Sequence, residues 1–220
     1  MLKDKRITIL SGHYGSGKTN IAVNLAKLAK SYFNKVALAD LDIVNPYFRS
    51  KDSEKDLESH GIRLICSPYA NSNVDIPALP QEIYAVTDDK TSKMIVDVGG
   101  DDRGALALGR LTPEILKEND YEMLLIVNSF RPLTPTPETT VTIAREIENA
   151  CKISFTGVIN NSNLGEFTTE EDVLNSQDYA NTVAKLLGVK VVLTTVKQEL
   201  FEALNGKIDN LYPLVLQKKI

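Results

Sequence analysis

Gly12-His13-Tyr14-Gly15-Ser16-Gly17-Lys18-Thr19 reads as G-x-x-x-x-G-K-[ST] in full. An apolar strand pattern precedes it and a helical pattern follows, which is the context such a loop needs. Its glycines let the backbone turn so that successive N–H groups point inward. Together with the helix N-terminus they make a cradle for phosphate oxygens. Lys18 supplies a point charge for the β- and γ-phosphates, and the Thr19 hydroxyl can ligate Mg²⁺. Gly12, His13, Tyr14, Gly15, Ser16, Gly17, Lys18, Thr19 and the adjoining Asn20 form the candidate cofactor-binding stretch. The competing reading is a glycine-rich turn that binds nothing.

Acids and amides stand where other strands end. Asp40 and Asp42 close the second strand in Ala-Asp-Leu-Asp-Ile-Val-Asn-Pro-Tyr, and alternation puts both on one side of it. Beside bound Mg²⁺, such acids can hold a metal water or orient an attacking water. Asp97 follows the apolar run Met94-Ile95-Val96, and Gly99-Gly100-Asp101-Asp102 comes next. The two glycines permit a loop whose N–H could sense a γ-phosphate. Asp101 and Asp102 also suit an ordinary helix cap. Asn160 and Asn161 close the sixth strand; an amide offers a donor and an acceptor to an adenine edge, or simply makes a turn.

These residues need a scaffold, and the periodicity supplies one. Strands are expected at residues 7–10, 36–41, 62–66, 94–98, 124–127, 153–159 and 189–196. Helices are expected at 19–33, around 78–87, over much of 105–117 with interruptions near Gly109 and Pro113, and at 137–151, 170–187 and 198–204. Several strands are apolar on both faces, as in a parallel sheet covered by helices. The βαβα order predicts an α/β, doubly wound, mainly parallel sheet of about seven strands, with ligands at the strands' carboxyl ends. No repeat or linker marks a second domain, so residues 1–220 read as one nucleotide-binding domain.

The totals narrow the class. A net charge of −4 gives no global electrostatic pull toward nucleic acid, and no Lys/Arg run supports a local basic patch. Cys66 and Cys151 are 85 positions apart, outside any CxxC or Cys/His cluster; two lone thiols fit a reducing cytoplasm and the role of small buried hydrophobes. No run of 18 apolar residues exists to span a membrane.

The loop and the acid pattern together resemble the MinD/ParA branch of P-loop proteins, which also holds the nitrogenase iron protein and cobyrinate-type amidotransferase domains. The resemblance runs in element order over about residues 7–204 and rests on four short motifs. Gly12, Gly15, Gly17, Lys18 and Thr19 match the family's G-K-G-G-x-G-K-[ST] frame. His13 stands where the family has a lysine that reaches across a nucleotide-sandwich dimer, and Tyr14 where it has a glycine. His13 replaces that lysine in part only when protonated. The resemblance makes Asp42 the water-orienting acid, Asp40 a metal-side acid and Asp97 the Walker B acid. Asp101 becomes a second catalytic candidate, from a D-V-x-G-D-like switch. It favours Asn161 over Asn160 as the adenine contact, and Lys197 takes the place of a usual proline. The iron protein's cysteine motifs are absent, so no cluster is expected.

The resemblance therefore implies a cytoplasmic ATP- and Mg²⁺-binding switch with slow hydrolysis. Lys18, Asp42 and Asp101 are its catalytic candidates; Thr19, Asp40 and Asp97 are its metal ligands. ATP over GTP follows from the family, since no N-K-x-D motif appears. Nucleotide state would move loops 43–49 and 99–104 before an unidentified protein partner, with Pro46, Tyr47 and Phe48 as contact candidates; a homodimer is open. A small-molecule kinase or ATP-dependent ligase with the same loop is the first alternative. A partition or membrane-cycling protein is the second, but residues 211–220 are short and contain Pro213, and they lack the basic amphipathic helix it needs.

Overall fold

The computed structural model describes residues 4–41, 51–66, 81–100 and 102–216. Asp42, the loop 43–49 and Asp101 lie outside the described residues.

The strands are β1 (Ile7–Ser11), β2 (Val36–Leu41), β3 (Ile62–Cys66), β4 (Lys93–Val98), β5 (Tyr121–Val127), β6 (Gly157–Asn160), β7 (Val191–Lys197) and β8 (Leu211–Leu214). They form one sheet in the order β3-β2-β4-β1-β5-β6-β7-β8, and every pairing is parallel. The helices are α1 (Lys18–Lys30), α2 (Lys51–Ser59), α3 (Gln81–Asp88), α4 (Asp102–Glu118), α5 (Pro137–Cys151), α6 (Glu170–Leu187) and α7 (Gln198–Leu204).

Two apolar layers explain why the central strands read as nearly continuous hydrophobic runs. Ile7, Ile9, Val96, Val98, Leu125 and Val127 pack on one face against α4, α5 and α6. Leu10, Ile95, Leu124, Ile126 and Ile159 pack on the other against α1, with Ile21, Ala22, Leu25 and Ala29 of that helix fully buried. Each large aliphatic side chain so buried contributes about 1.5–3 kcal/mol, and this holds α1 in place as the continuation of β1.

Strand order creates the site. The chain runs outward from β1 through β2 to β3, returns to place β4 beside β1, and crosses to place β5 on β1's other flank. The loops that follow β1, β4, β5 and β6 therefore converge over one end of the sheet, at a topological switch point.

Four local features depart from the sequence expectation. An eighth strand, β8, pairs with β7 although it contains Pro213; it is the edge strand, where a missing N–H is tolerated. The mostly charged segment α2 is helical and buries Leu57 fully. Helix α4 runs unbroken through Gly109 and Pro113. A Cβ at Gly109 would stand 3.3 Å from Ala150 O of α5, so the glycine serves close helix packing, and Thr112 Oγ1 donates to Cys151 O at 2.7 Å. Finally, β6 begins at Gly157 rather than at residue 153, because Ile153 and Phe155 act as buried anchors after α5 rather than ladder residues. Cys151 is fully buried, as a small hydrophobe would be, and burial pushes its thiol pKa up.

Candidate nucleotide-binding site

Residues 12–17 pass directly from β1 to α1. Gly12, Gly15 and Gly17 have φ of 149°, 75° and 93°, a region that only glycine enters without strain. Two of them are also required by close approach. A Cβ on Gly12 would lie 2.4 Å from Ile126 O of β5, and one on Gly17 2.2 Å from Asn161 Nδ2. Gly17 caps α1 without a side-chain hydrogen bond, and the first turn of α1 carries no acid, while Lys27 and Lys30 sit in its last turn. No acid of α1 itself offsets the positive end of the helix dipole that faces the loop, an arrangement that favours an anion there. The buried Ser16 hydroxyl finds no hydrogen-bond partner among the described residues.

Lys18 is 5% exposed and folds back along the loop, its Nζ donating to Gly12 O at 3.0 Å and His13 O at 3.2 Å. His13 Nδ1 lies 2.9 Å from Tyr14 O, and the Tyr14 ring stands exposed beside it.

Thr19 Oγ1 donates to Asp97 Oδ2 at 2.7 Å, joining the first residues of α1 to the last of β4. Asp97 is fully buried. Its Cα partner in the β2–β4 ladder is Asp40, itself 7% exposed. The three residues expected to serve a metal are brought together, from three elements distant in sequence. A hydroxyl and two carboxylates are hard oxygen donors, and such a set suits Mg²⁺. Asp42 follows β2 directly but is outside the described residues, as is Asp101.

The loop after β4 presses on the phosphate loop. A Cβ on Gly100 would lie 2.6 Å from Tyr14 N and 2.9 Å from Gly12 O. No side chain fits between the two segments, so displacement of one is transmitted to the other.

On the opposite flank, the two asparagines after β6 diverge. Asn161 Nδ2 donates to Ser16 O at 2.6 Å and its Oδ1 accepts from Thr195 Oγ1 at 2.6 Å. Each amide group retains one further hydrogen-bonding position. Asn161 lines a cavity of about 260 Å³ with Gly15, Gly17, Asn20 and residues at the ends of β7 and β8. Asn160 is fully buried, turned to α6, where Nδ2 donates to Ser176 Oγ at 2.9 Å and Oδ1 accepts from Ser162 N at 3.1 Å. Lys197 Nζ donates to Glu166 O at 2.9 Å, tying the end of β7 to the loop after β6.

One side chain beside the loop that sequence reasoning did not single out is Arg131, in the loop after β5. Its guanidinium lies where a Gly15 side chain would be, with Cζ 3.0 Å from that position. A lone arginine in a proline-rich loop carries no motif, so only the folded chain reveals it.

Comparison with known proteins agrees with this geometry. Residues 7–205 match the model of the CobQ/CobB/MinD/ParA nucleotide binding domain. No curated protein sequence matches the chain. Among solved structures, chloroplast FtsY from Physcomitrella patens is similar at 18% identity and a TM-score of 0.58, over 86% of this chain and 58% of that one. FtsY from Thermotoga maritima is similar at 19% identity and a TM-score of 0.58, over 88% of this chain and 62% of that one. FlhF complexed with GTP/Mg²⁺ gives 14% identity and a TM-score of 0.51, over 88% of this chain and 66% of that one. The match thus spans about three fifths of the length of these solved chains, and at such identities the likeness is one of fold. With the family model covering nearly all of the described sheet, the chain belongs to the CobQ/CobB/MinD/ParA nucleotide-binding family of P-loop proteins.

Proposed function

We propose that this chain is a Mg²⁺–ATP-dependent switch that hydrolyses ATP slowly and presents a nucleotide-dependent surface to a protein partner. The observation that supports it best is the contact chain through Asp97. Its carboxylate accepts from Thr19 at the phosphate loop, and two residues on, the Gly99-Gly100 turn lies against Gly12 and Tyr14. A γ-phosphate entering the cradle meets both segments, which is the arrangement that order–disorder switches use.

In this reading Thr19, Asp40 and Asp97 hold Mg²⁺, which when bound neutralises charge on the phosphate oxygens. Main-chain N–H groups of residues 12–19 orient the polyphosphate. Lys18 leaves the carbonyls of Gly12 and His13 and takes phosphate oxygens as partners. Asp42 positions the attacking water, and Asn161 reads the base edge from its place between the loop and Thr195. Catalysis by such a site is positioning and electrostatic stabilisation rather than covalent chemistry.

FlhF carries GTP and Mg²⁺ in its solved complex, so GTP is the competing base. Calorimetric titration with ATP, GTP and a non-hydrolysable analogue, with and without Mg²⁺, tests the reading. ATP is expected to bind more tightly than GTP, Lys18→Ala to lose both, and Asp42→Asn to bind normally while releasing phosphate more slowly. Binding that survives Lys18→Ala would sink the phosphate cradle, and unchanged phosphate release would remove Asp42 from the mechanism.

A further inference from the structure

We propose that Arg131 is a second cation of the phosphate site, contacting the polyphosphate from the side opposite Lys18 and acting within its own chain. The inference rests on the nucleotide reading above and adds a ligand contact to it.

Arg131 is exposed, yet it is placed rather than loose. Its backbone is held in consecutive turns, with Arg131 N donating to Asn128 O at 3.2 Å and Thr134 N donating to Arg131 O at 3.1 Å. Asn128 anchors those turns: its Oδ1 accepts from Phe130 N at 3.0 Å and Asn163 N at 3.3 Å, and its Nδ2 donates to Asn163 O at 3.2 Å. Ser129 N donates to Ser162 Oγ at 3.0 Å. The loop after β5 is therefore locked to the loop after β6, which carries Asn161. The guanidinium that this frame projects rests on Gly15, its Cζ and Nη1 3.0 and 3.2 Å from where a Cβ would be. Among the described residues it forms no ion pair.

Charge points to the ligand. Among the described residues that line the cavity beside the loop, the charged side chains are Arg131 and Lys197, in a chain whose net charge is −4. Lys197 is engaged with Glu166 O, which leaves Arg131 as the lining cation turned to the loop. Lys18 stands at the other end of the same loop, at Gly12 and His13. A triphosphate carries more negative charge than one lysine and one divalent cation neutralise, and a planar guanidinium suits two phosphate oxygens at once. Gly15 fits the same scheme, because any side chain there would displace the guanidinium.

The test is ATP affinity of the full chain at several salt concentrations, for wild type, Arg131→Ala and Arg131→Lys, with thermal melting as a folding control. Arg131→Ala is expected to melt as wild type, to bind ATP about tenfold more weakly at low salt, and to show a shallower loss of affinity with salt, because one screened contact is gone. Arg131→Lys should recover part of both. Unchanged affinity in Arg131→Ala overturns the proposal. A tenfold loss with an unchanged salt slope also overturns it, since the guanidinium would then be stacking on the base. If the wild-type chain binds neither ATP nor GTP, the nucleotide reading itself fails, an outcome distinct from an unaltered Arg131 variant.

Discussion

The side-chain amide of Asn161 donates to the main-chain carbonyl of Ser16 across 2.6 Å, so the end of β6 and the phosphate loop form one hydrogen-bonded unit. The same amide accepts from Thr195 of β7, which extends the unit across three strands. The pocket that would take a base and the loop that would take phosphates therefore share a wall.

Replacing Asn161 tests that unit. Asn161→Ala takes the amide donor from the Ser16 carbonyl and leaves the Thr195 hydroxyl with only its longer bond to Asn160 O at 3.3 Å, a cost of about 1–3 kcal/mol. Urea melts should show the loss of stability, and titration should show weaker ATP binding in the same variant. Asn161→Leu, close in volume, should destabilise by a similar amount, because the missing hydrogen bonds rather than the missing atoms are responsible. A variant that melts as wild type would show that the loop does not depend on this bond.

Gly100 is the sensitive point of the other wall. In Gly100→Ala the new methyl would meet Tyr14 N at 2.6 Å and Gly12 O at 2.9 Å, and both are backbone atoms that cannot swing aside. The loop after β4 must move, at a cost of about 1–3 kcal/mol. Thermal melting should register it, and nucleotide affinity should change although Gly100 contributes no side chain to the site. Equal melting and equal affinity would remove the mechanical link between the two loops.

Far from the site, Lys93 sets a pH dependence. Its ammonium is fully buried, donating to Lys5 O at 2.6 Å and Thr8 Oγ1 at 2.7 Å, while Thr8 donates on to Glu122 at 2.7 Å. Desolvation by burial lowers its pKa from 10.5 to about 8, against the pull of Glu122. Between those values the unfolded chain holds a proton that the folded chain has released, so stability rises with pH across that window. Below it both states are charged and the folded chain bears the full desolvation cost; above it both are neutral and the cost is gone. The rise amounts to about 3 kcal/mol over the window. Urea melts of wild type against Lys93→Met between about pH 8 and pH 10 should show the rise in wild type alone. A parallel rise in both would assign it to other groups.

The phosphate loop was legible in the sequence because its chemistry is local. Eight consecutive residues carry the glycines, the lysine and the hydroxyl, and backbone φ and the lack of a Cβ act over a few ångströms of chain. The doubly wound sheet was legible for a related reason: burial on both faces leaves apolar runs that no half-exposed strand would show. The strand β8 and the helix α2 were not legible. Pro213 argues against a strand until an edge position removes the objection, and α2 has few apolar residues to set a period.

What the sequence could not decide is which separated residues meet. Asp40 and Asp97 are 57 positions apart and become ladder partners only because β4 inserts between β2 and β1. Asn160 and Asn161 are alike as letters, but adjacent residues at a strand end face opposite ways, so one serves α6 and the other the loop. Arg131 reaches Gly15 only because β5 flanks β1. Local backbone chemistry is written in consecutive residues, whereas the partners of a side chain depend on strand order, and strand order is settled by the packing of the whole sheet.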